Sequence, residues 1–490
     1  MTSDPIDWNE DVSTNPEQEY RALLKSLRRT RNFGLFFVQC SPVEGERLIQ
    51  RIRQDLPQKQ TEVLTLTATV TNLYDEVAAL PNKDQIEILF IQGLEHSLYD
   101  YEQERLWHEP EQRYSYDESG VPKLLAHLNL SRERFRDHFK MCFVFLVPLF
   151  ALKYLMRRAP DFFDWRSGVL EFAMDAERLE QESQRLWLEN DSEEYLTWTP
   201  YQRSARILEI QALLEEPHQI SDHKSSLLFE QSRLFYASKS YEAVITIYEK
   251  AIEIDPDAYK AWHNRGKALY ALGRNEEAIA SYDQAVAIQP DFHSAWHNRG
   301  NVLSVLGRNE EAITSYDQAI AIQPDFPYAW YARGLALSVL GRSEEAIASC
   351  EKAIEINPDD HGAWNSYGLV LTASGRTAEA IASYEKAVEI NPDDHGVRLN
   401  RGNALNKLGR HEEAIASYDQ AIAIKPDNER AWYNKACGYG LWGDIKKALE
   451  NLQQAIKLNS DCRNWAKTDA DFDGIRQDAR FQELMGRNGE

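Results

Sequence analysis

Six prolines, Pro256, Pro290, Pro324, Pro358, Pro392 and Pro426, stand 34 residues apart. A sustained period of that length commits a chain to a stack of like units, because one unit cannot bury its apolar face alone. Trp262, Trp296, Trp330 and Trp364 keep the same step, which skips at Arg398 and resumes at Trp432. Gly266, Gly300, Gly334, Gly368 and Gly402 follow four positions behind. Within one unit an apolar-periodic run ends at Gly273, a residue free to take the left-handed conformation that closes a helix. Asn275, Glu276 and Glu277 then open a second helix, with a cap candidate and acids that suit its dipole. Ala278, Tyr282 and Ala285 share one helical face. Pro290 excludes its predecessor from a helix and ends the unit. Gly266 and Ala278 are small where the two helices must cross closely.

The order Trp, Gly, Ala, aromatic, Ala, Pro at these offsets resembles the tetratricopeptide repeat. Five units carry most of it, beginning near Tyr259, His293, Pro327, His361 and His395. A weaker unit precedes them near Ser225, with Val244 in place of Ala, and another follows near Glu429, with Ala436 for Gly and Ser460 for Pro. The resemblance implies a right-handed α-solenoid of seven repeats over residues 223–462. Residues 463–490, with Phe472, Ile475, Phe481 and Leu484 on one apolar face, read as a C-terminal capping helix.

The 490 residues suffice for two or three domains. There are 55 basic against 78 acidic residues, a net charge of −23. That balance disfavours nucleic acid and anionic membranes as partners. The five cysteines show neither a disulfide framework nor zinc spacing, and they fit a reducing cytoplasm. Cys350 stands where sister repeats carry Tyr282, Tyr316 and Tyr384, which makes it a core substitute. Residues 1–20 read as an acidic, disordered tail without signal-peptide character. The most apolar run, Met141 to Met156, is shorter than a membrane helix and holds Pro148 and Lys153. His96 and His108 flank an acidic aromatic stretch, but their spacing matches no metal-ligand set. No metal and no cofactor is expected.

Residues 21–165 have a different rhythm. Phe33 to Cys40, Val63 to Thr67, Ile86 to Ile91 and Met141 to Val147 are short apolar runs without alternation, as in a parallel sheet buried on both faces. Helical stretches separate them, which predicts a three-layer α/β domain. This order resembles a P-loop ATPase domain, in particular the signalling ATPases that carry repeat arrays behind them. At the matching place the chain reads Cys40-Ser-Pro-Val-Glu-Gly45-Glu46-Arg47. Of the Gly-x-x-x-x-Gly-Lys-Ser/Thr pattern only Gly45 survives. Glu46 stands for the phosphate-binding lysine and Arg47 for the magnesium-binding hydroxyl. At 4 Å and surface-like dielectric, a charge of the wrong sign is worth about 4 kcal/mol on either side of zero. The strand over Ile86 to Ile91 ends in Gln92 and Gly93, with no acid to position a metal; Glu95 lies a few residues on. The expected fold is therefore a degenerate P-loop-like α/β domain, a pseudo-enzyme, followed by an all-α solenoid. An α/β domain that never held phosphate is the other reading.

Residues 166–222 read as a helical, charged connector studded with Trp187, Trp198 and Tyr201. In the array, the first helix of each unit lines an inner groove. The residues beside the Trp positions are His263, Asn264, His297, Asn298, Tyr331, Asn365, Asn400, Tyr433 and Asn434. One turn on lie Lys267, Asn301, Leu335, Leu369 and Asn403. Asn264, Asn298, Asn400 and Asn434 share one place in their repeats. This is similar to the asparagine ladder of the O-linked N-acetylglucosamine transferase superhelix, broken here at Ala332 and Ser366. A carboxamide can grip a peptide backbone; it can equally bridge helices within the stack. Asn403, Arg430 and Asn434 partly resemble a carboxylate clamp of chaperone adaptors, which lacks its lysine at Leu399. The recurring Arg265, Arg299, Arg333 and Arg401 read as inter-helix ion pairs.

The sequence thus predicts a non-catalytic cytoplasmic adaptor that captures a protein or peptide in its groove. The front domain supplies a second docking or regulatory surface, and the ATPase resemblance implies a signalling or defence assembly. A nucleotide-binding switch or divergent NTPase is the rival. The near-identical repeats also leave self-association open.

Overall fold

The computed structural model describes residues 16–105, 122–188 and 194–486. The chain divides into two compact units, Met1–Leu272 and Gly273–Glu490.

The first unit opens with α1 (Pro16–Arg29), β1 (Gly34–Gln39), α2 (Pro42–Asp55), β2 (Thr61–Thr65), α3 (Leu73–Ala78) and β3 (Ile88–Gln92). Then come α4 (Leu94–Arg105), α5 (Lys123–His138), β4 (Cys142–Val147), α6 (Leu149–Arg158), α7 (Pro160–Phe163) and β5 (Gly168–Glu171). The strands form one sheet in the order β2-β3-β4-β1-β5, and every pairing is parallel. Alternate strand residues feed two cores. Phe36, Val38, Phe90 and Val144 pack with α1 and α2 on one face. Leu35, Phe37, Ile91 and Phe145 pack with α3 to α7 on the other. Two-sided burial explains the unbroken apolar runs of β1, β3 and β4.

Three expectations are corrected. The tail expected over residues 1–20 is helical from Pro16, because Tyr20 buries its ring, donates to Asp55 and lies 3.6 Å beneath the Arg51 guanidinium; residues 1–15 fall outside the described set, as does His108. The strand expected at Val63 to Thr67 is an edge, half-exposed and paired on one side alone. Strand β5 lies inside the stretch expected as helical connector. It is four residues long, hydrogen-bonded to β1 only, and carries a single buried side chain, Leu170. The sheet therefore runs past residue 165.

The first unit continues through α8 (Ala176–Leu188), α9 (Pro200–Leu214), α10 (Ser221–Ala237), α11 (Tyr241–Ile254) and α12 (Tyr259–Ala271). The C-terminal end of α9 is fastened by carboxylates to α6 and to the segment that follows β5. Glu215 accepts the Phe150 N–H in the first turn of α6, and Glu216 accepts from Met174 N–H at 3.0 Å.

The second unit holds α13 (Asn275–Ile288), α14 (His293–Val305), α15 (Asn309–Ile322), α16 (Pro327–Val339), α17 (Ser343–Ile356), α18 (His361–Ala373) and α19 (Thr377–Ile390). It ends with α20 (His395–Lys407), α21 (His411–Ile424), α22 (Glu429–Trp442), α23 (Ile445–Leu458), α24 (Cys462–Thr468) and α25 (Ala479–Gly486). Helices α14, α16, α18, α20 and α22 touch in succession, as the first helices of a repeat stack do. The chain is mostly helical, with a repeat array consistent with a tetratricopeptide solenoid behind a small parallel sheet. No described helix is long and apolar enough to cross a membrane.

The period has a physical reason in each unit. Trp262, Trp296, Trp330, Trp364 and Trp432 donate their indole N–H to the carbonyl of the proline six residues earlier, at 2.8–3.0 Å. At the apparent skip, Arg398 donates Nε and Nη2 to the Pro392 carbonyl at 3.1 and 2.7 Å. The guanidinium satisfies the same acceptor. First helices give way to second helices through Gly273, Gly307, Gly341, Gly375, Gly409 and Gly443, all at φ between 74° and 86°. The corresponding place in the first pair is Lys239, at φ 57°, where a side chain costs about 1 kcal/mol or more. Lys239→Gly is expected to raise stability by about 1 kcal/mol, read as slower hydrogen exchange of the α10 and α11 amides.

The single capping helix expected over residues 463–490 is replaced by α24, a 3-10 turn at Ala470–Phe472 and α25. Asp469 accepts the Asp471 N–H at 3.0 Å and breaks the helix. Phe472, Ile475 and Phe481 still cover the last core against Tyr433 and Leu452.

Candidate functional site

The groove residues are mostly committed to the stack itself. In the first unit His263 is buried and its imidazole is pushed down to about 4, chiefly by desolvation and then by the Lys267 charge. Asn264 hydrogen-bonds His263 and Tyr248. Lys267 is exposed, 5.7 Å from the centroid of the Tyr236 ring. In the second unit burial likewise pushes His297 down to about 4, against a side-chain hydrogen bond with Asn298. Asn301 accepts from the Tyr316 hydroxyl at 2.9 Å. Asn400 donates to Asn365 at 3.0 Å, and Asn434 donates to Asn403 at 2.8 Å. Asn403 also accepts from Tyr418 at 2.9 Å. Tyr433 is buried and donates to Asp469 at 2.8 Å, while Arg430 is exposed.

The geometry therefore favours carboxamides that bridge helices over a row of them reaching for a peptide. The repeated arginines do the same. Arg299 holds Asp283 and Ser315, Arg333 holds Asp317 and Ser349, and Arg401 holds Glu385 and Ser417, all within 2.6–2.8 Å. Besides the exposed Lys267, Asn403 and Arg430, the first helices of the central repeats leave an apolar run open. Tyr328 and Leu369 are exposed, and Tyr331 and Leu335 are half-buried. Tyr328, Tyr331 and Leu335 share a face of α16 by spacing, and the first two rings lie 5.8 Å apart.

The segment expected as a degenerate phosphate loop is not a loop. Only Cys40 and Ser41 separate β1 from α2, and Gly45, Glu46 and Arg47 are helical. Ser41 caps the helix, its hydroxyl accepting the Glu44 N–H at 3.3 Å. Gly45 N–H bonds the Ser41 carbonyl, and Pro42 has no N–H to give. The Glu44 and Gly45 amides, which would face a phosphate, are thus already used. Arg47 pairs with Glu44 at 3.3 Å.

The carboxyl ends of the strands nonetheless enclose a cavity of about 520 Å³. Its floor is built from the ends of β1, β2, β3 and β4, through Cys40, Leu66, Gln92 and Leu146. The crossovers that leave β1 (to β2) and β4 (to β5) run in opposite directions, so the cavity sits at the switch point of the sheet. Helices α8 and α9, with the segment between them, supply Arg185, Trp198, Tyr201, Arg206 and Glu209. Both arginines are neutralised there by Glu209, and Arg185 also by Glu182. At the base lies Glu95, 7% exposed, and its Oε2 has no hydrogen-bond partner among the described residues. Gly93 sets it there. This glycine turns the chain from β3 into α4 at φ 81°, and a Cβ on it would fall 2.2 Å from the Leu66 carbonyl oxygen. Burial pushes the Glu95 carboxyl up to about 7. The sequence had offered Glu95 only as an acid beyond the strand, and the residues of α8 and α9 only as connector.

Residues 206–470 match the family described as Cilia and flagella-associated protein 70 C-terminal domain, a tetratricopeptide family, over more than half of the chain. The chain belongs to this family. Proteins built on tetratricopeptide repeats generally mediate protein–protein interactions, and the family is generally scaffold-like and not enzymatic. No curated protein matches the chain. Among solved structures it is similar to YrrB, described as a TPR protein with an unusual peptide-binding site, at 26% identity over 38% of this chain and 97% of that one, TM-score 0.30. A tetratricopeptide repeat protein from Parabacteroides merdae is 18% identical over 48% and 93%, TM-score 0.42. PilW, a type IV pilus biogenesis factor, is 22% identical over 44% and 97%, TM-score 0.39.

Proposed function

We propose that this family member is a non-catalytic cytoplasmic adaptor whose repeat array captures a peptide or helix of a partner protein. The open apolar run on α16 and α18, Tyr328, Tyr331, Leu335 and Leu369, carries the reading. With the neighbouring amides engaged in the stack, the partner's anchor is an apolar side chain, and a preformed groove lowers its ordering cost. The α/β domain is a second docking or regulatory surface. Its parallel sheet, with a direction switch between β1 and β4, supports kinship to the P-loop signalling ATPases. The capped α2 terminus, Glu46 and the strand-ending Gln92 support loss of phosphoryl chemistry. A signalling or defence assembly is the setting that kinship implies.

The test is a displayed library of random peptides panned on the full chain. Peptides with an aromatic or aliphatic anchor are expected to be enriched, and Leu369→Asp is expected to weaken them by at least about tenfold, since it places an unpaired charge in an apolar contact. A change on an exposed second-helix surface, Glu344→Ala, leaves them bound. Enrichment indifferent to Leu369→Asp would move the partner surface elsewhere.

A further inference from the structure

The cavity over the strand ends is unexplained by a repeat-array adaptor. At about 520 Å³ it is the size of a small-molecule site. Its chemistry is specific. The arginines of the roof are paired with Glu209 and Glu182, so no unpaired arginine or lysine is left for a phosphate among the described lining residues. The Glu44 and Gly45 amides of α2 are held by Ser41. Against that, Glu95 offers an unpartnered buried oxygen, and Glu46 adds a second carboxylate at the rim. Trp198 and Tyr201 add aromatic rings to the lining, with the His96 ring 5.3 Å from that of Tyr201. A buried acceptor without a donor is costly to keep, and a ligand that brings the donor removes the cost. A flat cation also gains from the faces of aromatic rings.

We infer that this cavity binds a small aromatic cation, an amidine, guanidine or protonated amino-heterocycle, whose N–H groups bond Glu95 while its ring lies against Trp198 and Tyr201. The site lies where a nucleotide would sit in an open α/β sheet, but its charge selects the opposite kind of ligand. Ligand occupancy would tie α9, which packs on α4 and α10, to the strand ends and make the front domain responsive to a metabolite.

The probe is 4-aminobenzamidine, whose fluorescence rises on burial, titrated into the full chain, with benzamidine, benzoate and ATP–magnesium as competitors. Saturable binding displaced by benzamidine, but not by benzoate or ATP–magnesium, is expected. Glu95→Gln should weaken it by at least about tenfold, the usual cost of losing a charged hydrogen bond. Tyr201→Ala, at an exposed position, should weaken it several-fold and serves if Glu95→Gln does not fold. The charged and titratable groups facing the cavity besides Glu95 are Cys40, Glu46, His96, Arg185, Tyr201, Arg206 and Glu209. Affinity should rise about tenfold from pH 6 to pH 8 as Glu95 ionises, and His96→Asn should keep that slope. Absence of saturable binding, equal displacement by benzoate, or unchanged affinity in folded Glu95→Gln and Tyr201→Ala would overturn the assignment. Such a failure leaves the array reading intact, because peptide capture reads a different surface.

Discussion

Tyr384→Ala is expected to cost about 3–5 kcal/mol, the range for emptying a large buried ring from a core. The Tyr384 side chain is 1% exposed and packs against Leu371, Val397 and Leu405. It also fills the space in which the two helices of its pair cross. A Cβ on Gly368 would stand 2.5 Å from the Tyr384 Cε1. Gly368→Ala is therefore expected to destabilise by about 1–3 kcal/mol, although alanine is the better helix former by about 1 kcal/mol. In the Tyr384→Ala background the ring is gone, and Gly368→Ala should become stabilising by about that helix propensity. The sign reversal is the test, since only direct contact produces coupling of that size. Hydrogen exchange of α18 and α19 amides is the suitable measurement, because repeat arrays open locally and a single midpoint mixes units. Two additive substitutions would show that the glycine answers to something other than the ring.

The same constraint recurs at Gly300 with Tyr316 and Gly402 with Tyr418, which is why the array was legible in the sequence. Each repeat faces the same crossing and reports it with the same residues. At Gly334 the neighbour is Cys350, so the odd repeat keeps a close contact with a different atom, Sγ at 2.6 Å from the would-be Cβ. Arg398 was less legible. It reads as a missing Trp, yet it serves the Pro392 carbonyl as the indoles do. Strands buried on two faces were legible from their apolar runs. Strand β5 was not, because an edge of four residues buries one side chain and leaves no pattern to count.

The groove was harder. An asparagine looks the same whether it faces a ligand or a neighbouring helix, and the partners of Asn400 and Asn434 lie 35 and 31 residues away. No local spacing announces them. Glu95 was harder still. It is one of 78 acidic residues. Its isolation comes from the turn at Gly93 and from residues of α8 and α9 that lie about a hundred positions along the chain. Burial of that kind belongs to the tertiary structure alone.

Glu95 should also write itself into the pH dependence of stability. Its folded carboxyl is raised to about 7 by burial, whereas in the unfolded chain it ionises at about 4.5. Below pH 4.5 both states carry the proton and stability owes nothing to pH through this group. Between the two values the unfolded chain loses the proton while the folded chain keeps it, so stability falls as pH rises. The loss is on the order of 3 kcal/mol across the window and ends above pH 7, where both states are ionised. Glu216, raised to about 7 chiefly by burial, acts in the same direction. Surface acids held by arginines, such as Glu311, are shifted down and act in the opposite sense at lower pH. Glu95→Gln cancels one contribution and leaves the others. Urea denaturation of the two proteins at pH 5 and pH 8 should give a smaller drop for the variant, by on the order of 3 kcal/mol. The comparison of drops is insensitive to whatever the buried amide costs at both pH values. Parallel profiles for the two proteins would mean that Glu95 meets solvent or a donor, and would remove the unpartnered acceptor on which the cavity's ligand depends.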